Sequence, residues 1–62
     1  MTKREREVLR LLAKGLHNEE VGRRLYISPK TVKVHVAKAM RKLKSDTRTQ
    51  AVAEALRRSI IS

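Results

Sequence analysis

In 62 residues, sixteen Lys and Arg stand against six Asp and Glu, a formal charge of +10, with Tyr26 the single aromatic residue and no cysteine. A chain this short holds one small core at most. The lack of Cys removes disulfide staples and thiolate metal sites, and no apolar run approaches the ~18 residues of a spanning helix or forms a signal-peptide core. Leu, Ile and Val still supply 16 of the 62 residues, enough for a folded domain to be expected despite the charge. So strong a positive balance points to a polyanionic partner. One aromatic residue leaves almost no stacking platform for single strands, which puts duplex DNA first.

The first helix signal is Thr2 followed by Glu5, a capping box in which hydroxyl and carboxylate each accept from an otherwise unpaired backbone N–H. Val8, Leu9, Leu11, Leu12 and Leu16 then recur at helical spacing, which predicts a helix from about Lys3 to Lys14. Gly15 suits a left-handed C-terminal cap, with Leu16 packing back on the last turn. Asn18 reads as the N-cap of a short second helix, about Glu19 to Leu25, whose first-turn Glu19 and Glu20 favour the positive end of the helix dipole. Its inward positions are Val21 and Leu25. Gly22 beside them forgoes about 1 kcal/mol of helix propensity, which suggests close approach by another helix.

Ser28 then Pro29 is the strongest punctuation in the chain, a hydroxyl N-cap followed by proline at the first helical position. Val32, Val36, Ala39, Met40 and Leu43 follow on one face, predicting a helix from Pro29 to about Lys44. The alternation of Val32, Val34 and Val36 resembles a strand, but the proline start, the spacing and the length favour a helix. A last helix opens at Thr47 with Gln50 as a second capping box and runs to about Arg58 with Ala51, Val52, Ala55 and Leu56 inward. Ile60 and Ile61 in the tail close the core. The fold expected is an all-α, compact four-helix domain over residues 1–62, with a helix-turn-helix at about 18–44.

Charge is distributed unevenly along this frame. Between Val21 and Ser45 there is no carboxylate, while Arg23, Arg24, Lys30, Lys33, Lys38, Arg41, Lys42 and Lys44 make the same stretch one region of unopposed positive charge. On a helical wheel Lys30, Val34, Ala37, Lys38 and Arg41 lie opposite the apolar arc, flanked by Lys33. Solvation alone would favour polar residues in the centre of such a face, whereas small apolar groups such as Val34 and Ala37 can meet thymine methyls in a major groove. A short helix, the three-residue turn Tyr26-Ile27-Ser28 and a longer helix entered through its N-terminus describe a helix-turn-helix, whose second helix reads bases near its start. Lys33, Val34 and Ala37 are then the candidate base-reading positions. Lys30, Thr31, Lys38 and Arg41 are better placed for phosphates, which set register without reading sequence.

No catalytic constellation accompanies this pattern. His17 and His35 have no metal-ligand spacing between them, Ser28 and Asp46 read as turn and cap residues with no base in reach, and Gly15 and Gly22 are too isolated for a phosphate loop. We therefore expect a non-enzyme without metal or cofactor. A cationic amphipathic peptide lying on an anionic membrane is a second reading, opposed by the missing Trp and Phe and by the two capping boxes.

The run Thr2-Lys3-Arg4-Glu5-Arg6-Glu7-Val8-Leu9, the segment Ala13-Lys14-Gly15-Leu16 with Asn18, the run from Ile27 through Ser28-Pro29-Lys30-Thr31-Val32-Lys33-Val34 to His35, and Lys42-Leu43 taken with Arg48-Thr49-Gln50-Ala51 resemble the LuxR-type (GerE or FixJ-like) DNA-binding domain. Four blocks at matching spacings cover nearly the whole chain. The resemblance implies a four-helix output module of bacterial transcription regulators, cytoplasmic and nucleoid-associated, that binds DNA as a homodimer through its last helix. On this chain that helix turns Thr49, Ala53 and Arg57 outward. The resemblance also implies RNA polymerase as a further partner, an N-terminal receiver or sensor domain outside this chain, and base reading by Lys33, Val34 and Ala37. Departures from the family pattern are His17 for Ser or Thr, Gly22 for Ala, Lys38 for Asn, and Lys44-Ser45 where Gly and a small apolar residue often stand. Glu20 to Leu25 and Lys38 to Lys44 also resemble region 4 of sigma factors, a helix-turn-helix that contacts promoter DNA and RNA polymerase.

Overall fold

The computed structural model describes all 62 residues and contains four helices, α1 (Lys3–Ala13), α2 (Asn18–Leu25), α3 (Pro29–Lys42) and α4 (Arg48–Arg57), with no strand. The all-α architecture expected from the sequence is the one observed.

The ends of the helices follow local chemistry. At α1 the Thr2 hydroxyl accepts from the Glu5 amide at 3.1 Å and the Glu5 carboxylate accepts from the Thr2 amide at 3.0 Å, completing the capping box. At α3 the Ser28 hydroxyl accepts from the Thr31 amide at 3.1 Å, with Pro29 at the first helical position. The start of α2 corrects the expectation: the N-cap is His17. Glu20, three residues on, accepts from the His17 amide at 3.0 Å. Asn18 is thereby left inside the helix, where its side-chain oxygen accepts from the Arg48 guanidinium at 2.9 Å and ties α2 to α4. The box at Thr47 is half as expected. Its hydroxyl accepts from the Gln50 amide at 3.0 Å, but the Gln50 side chain turns to the Asp46 amide at 2.9 Å.

All four helices close with a left-handed residue. Gly15 (φ +88) does so after α1, where the Gly15 and Leu16 amides return to the Leu12 and Leu11 carbonyls at 2.9 and 3.3 Å, a Schellman closure. The same conformation ends the other three on Tyr26, Lys44 and Ser59, none of them glycine, although a residue with a Cβ pays roughly 1–2 kcal/mol for it. Because the chain reverses at Lys44, α3 stops at Lys42 rather than near Lys44.

Two apolar clusters form the core, and α3 runs through both. Val32 and Val36 join Val8 and Val21, with Leu11, Leu12, Leu16, Leu25 and Ile27 around them. Ala39 and Leu43 join Leu9, Ala51, Ala55 and Ile61, with Val52 and Ile60 beside them. Met40 packs against both clusters, as a flexible thioether can at an irregular junction. The tail closes the core as expected, with Ile61 buried. Leu56 does not: it is 46% exposed. With Ala51 and Ala55 facing the core, Leu56 lies a further 100° around α4 and falls on its outer side. No helix is long and apolar enough to cross a membrane, and the helices bury their apolar faces on one another.

Candidate nucleic-acid interface

The core anchors one side of α3 and leaves the other free. Val32, Val36 and Ala39 are buried, while Lys30, Lys33, Val34, Ala37, Lys38 and Arg41 are exposed. Val34 is 47% exposed in the middle of that basic face, an unfavourable place for an isopropyl group in water. Thr31 is only half-exposed. Its hydroxyl lies 2.9 Å from the Ser28 hydroxyl, so it shares the capping interaction at the helix start. The structure thus brings Lys33, Val34 and Ala37 together on one exposed face with Lys30, Lys38 and Arg41.

The turn that aims α3 depends on Gly22. A Cβ at this buried position would lie 2.5 Å from the Ile27 carbonyl oxygen and 3.5 Å from the Pro29 nitrogen. The close neighbour is therefore the backbone of the Tyr26-Ile27-Ser28 turn, and not the packed face of another helix as the spacing suggests. The Ile27 amide in turn donates to the Gly22 carbonyl at 2.9 Å. The turn is thus stitched to α2 from both sides, which sets the direction in which α3 leaves.

Electrostatics single out the same face, with one correction. The ion pairs are Arg4 with Glu7, Lys42 with Glu5, and Glu54 with both Arg57 and Arg58. Lys42 therefore leaves the unopposed set, while Arg23, Arg24, Lys30, Lys33, Lys38, Arg41 and Lys44 keep no carboxylate partner. The Lys42 ammonium donates to the Glu5 carboxylate at 2.8 Å, and Glu5 is 2% exposed. Burial pushes this carboxyl up, but the Lys42 hydrogen bond, the Thr2 amide and the ammonium charge outweigh it and hold the group at about 2. The pair joins the first turn of α1 to the last turn of α3, across 37 residues of sequence. In the sequence Glu5 shows only as a capping residue, and nothing local marks it as the partner of Lys42.

On α4, Thr49, Ala53 and Arg57 are exposed, with Leu56 beside them. Arg57 is tied to Glu54 along its own helix. Hydrogen bonds from Arg57 and then Arg58 hold the Glu54 carboxyl at about 2, and the same contact raises Arg57. His17 is exposed at the α2 cap and His35 half-buried on α3.

Comparison with known proteins agrees with this geometry. The family described as bacterial regulatory proteins, luxR family (GerE) matches residues 1–55. The chain belongs to the luxR family. Among its luxR-family relatives, the uncharacterized transcriptional regulatory protein YxjL of Bacillus subtilis is 47% identical over 60 residues, covering 97% of this chain and 28% of that protein. The transcriptional regulatory protein DegU of Brevibacillus brevis is 47% identical over 57 residues, 92% of this chain and 24% of its own length. LiaR of Bacillus subtilis, another transcriptional regulatory protein, is 44% identical over 62 residues, 100% of this chain and 29% of its own. The chain thus spans less than a third of the length of these relatives. It is a LuxR-type DNA-binding domain of the transcription-regulator class, and this family assignment takes the place of the sigma-factor resemblance.

Proposed function

We propose that residues 1–62 form one domain that binds duplex DNA sequence-specifically as the output module of a bacterial transcription regulator, a binding module and not an enzyme. In this reading α3, the second helix of the helix-turn-helix at about 18–44, enters the major groove. Lys33, Val34 and Ala37 read base edges, and Lys30, Thr31, Lys38 and Arg41 hold phosphates. The observation that carries this reading is the exposed face of α3, where two small apolar side chains sit among bases that no carboxylate neutralises. A solvated face has no use for Val34 there, and a groove lined with thymine methyls does.

Two copies meet through the outer face of α4, at Thr49, Ala53 and Arg57, so that paired recognition helices enter successive turns of the groove. Leu56, exposed beside them, adds apolar area to that face. The greater length of the relatives supports an N-terminal receiver or sensor domain that controls the module, and their transcriptional names support RNA polymerase as a further partner in the cytoplasm, at the nucleoid.

Selection of bound duplexes from a random pool tests the reading. A symmetric enriched site is expected, with half-sites about one helical turn apart and two chains per site by sedimentation. Failure to enrich any sequence, or one chain on a symmetric site at saturation, would contradict it.

A further inference from the structure

The backbone of Tyr26 closes α2, but its side chain has no part in the core. It is the only aromatic residue of the chain, yet its side chain is 95% exposed, so almost none of its apolar area contributes to the core. Its backbone is left-handed, φ 58 and ψ 42, the conformation that closes α2. Glycine adopts that conformation without strain, as Gly15 does at the end of α1. Lys44 and Ser59 share the left-handed backbone, but Tyr26 alone joins it to a large side chain that packs on nothing, and that combination points to a use outside the fold.

Its position suggests that use. Tyr26 opens the three-residue turn before Pro29 and shares an open concavity with Arg23, Ile27, Ser28 and Pro29, directly beside the start of α3. Glu19 also lines this concavity but forms no ion pair with Arg23. A helix that enters the major groove by its N-terminus brings the preceding turn against the sugar-phosphate strand at the groove edge. A phenol suits that strand, because its hydroxyl donates to a phosphate oxygen while its ring packs on deoxyribose.

We propose that Tyr26 is a backbone contact of the DNA complex, its hydroxyl donating to a phosphate at the groove edge, with Arg23 supplying charge to the same stretch of strand. The inference rests on the duplex-binding reading above. The strain at Tyr26 is then the cost of carrying a donor where glycine would sit without strain. Because the contact is neutral, it differs from those of the lysines in a measurable way: its loss lowers affinity without changing counterion release.

The test compares wild type, Tyr26→Phe, Tyr26→Gly and Arg23→Gln by fluorescence anisotropy on the selected duplex and on a random duplex at several salt concentrations, with a thermal melt of each protein. Tyr26→Phe is expected to weaken both duplexes about threefold with an unchanged melt, the effect of one hydrogen bond. Tyr26→Gly is expected to melt several degrees higher than wild type and yet bind both duplexes about tenfold more weakly. The salt slope stays that of wild type in both, whereas Arg23→Gln lowers it by about one. Wild-type affinity in Tyr26→Gly, or loss on the selected duplex alone, would overturn the proposal and leave Tyr26 to a protein partner or to base reading. Failure of the wild-type chain to bind any duplex would instead remove the DNA reading on which it rests.

Discussion

Replacing Glu5 by Gln removes the charge from a buried carboxyl while keeping its volume. The carboxyl ordinarily titrates at 4.5 and is held at about 2 by the fold. That depression corresponds to at most about 3.4 kcal/mol of stability at neutral pH, at about 1.36 kcal/mol per unit. Lys42, its partner, is 43% exposed along its side chain, so water screens part of the attraction, and about 2 kcal/mol is the working expectation. A group whose folded pKa is depressed contributes its stability above the unfolded value and loses it as pH falls through the folded one. The gap between wild type and Glu5→Gln is therefore full at pH 7, starts to close near pH 4.5 and has largely closed near pH 2. Urea denaturation followed by circular dichroism at pH 7, 5, 4 and 3 measures that gap, and Glu54, depressed by Arg57 and Arg58, is common to both proteins and cancels. At pH 7 the variant should melt roughly 10 °C lower, at about 4–8 °C per kcal/mol for a domain of this size. A gap independent of pH would show that Glu5 acts through packing alone, and equal stability at pH 7 would show that desolvation cancels the pair.

Gly22→Ala gains about 1 kcal/mol of helix propensity but sets a methyl 2.5 Å from the Ile27 carbonyl. A net loss of about 1–2 kcal/mol in urea denaturation is expected, and a more stable variant would mean that the turn yields freely. Lys44→Gly relieves the left-handed backbone after α3 and should raise stability by about 0.5–1 kcal/mol; a lower melting temperature would contradict that account. Lys33→Ala should cost about 1–3 kcal/mol on the selected duplex and little on random DNA. Lys38→Ala should instead weaken all duplexes alike and lower the salt slope by about one; equal losses on both DNAs for Lys33→Ala would remove it from base reading.

Much of this molecule is legible in the sequence because its signals are local. Thr2 with Glu5, Gly15, and Ser28 with Pro29 act within one helical turn, and the α3 stripe Val32, Val36, Ala39, Leu43 shows by spacing alone which face is free. What the sequence hides depends on distance or on one element competing with another. Glu5 meets Lys42 only after α1 and α3 pack, so the stretch that reads as wholly unopposed contains one neutralised lysine. Asn18 is a good N-cap by type, but Glu20 serves the amide of His17 instead and frees Asn18 to bond Arg48. Leu56 looks inward by hydrophobicity, whereas the two alanines of α4 determine which side faces α1 and α3. Gly22 reads as a site of close approach, yet only the folded turn shows that the approaching atom is a carbonyl oxygen.

On the proposed reading, the exposed face of α3 reads duplex DNA. Titrating the chain into a labelled selected duplex, a duplex of the same composition in scrambled order and the corresponding single strand, at about 50 to 300 mM salt, tests it most directly. Tightest binding to the selected duplex is expected, with an advantage over the scrambled duplex that persists as salt weakens both and collapses in Lys33→Ala. Equal affinity for the three nucleic acids at every salt concentration, unchanged by Lys33→Ala, would reduce the basic face to an undirected attraction for polyanions.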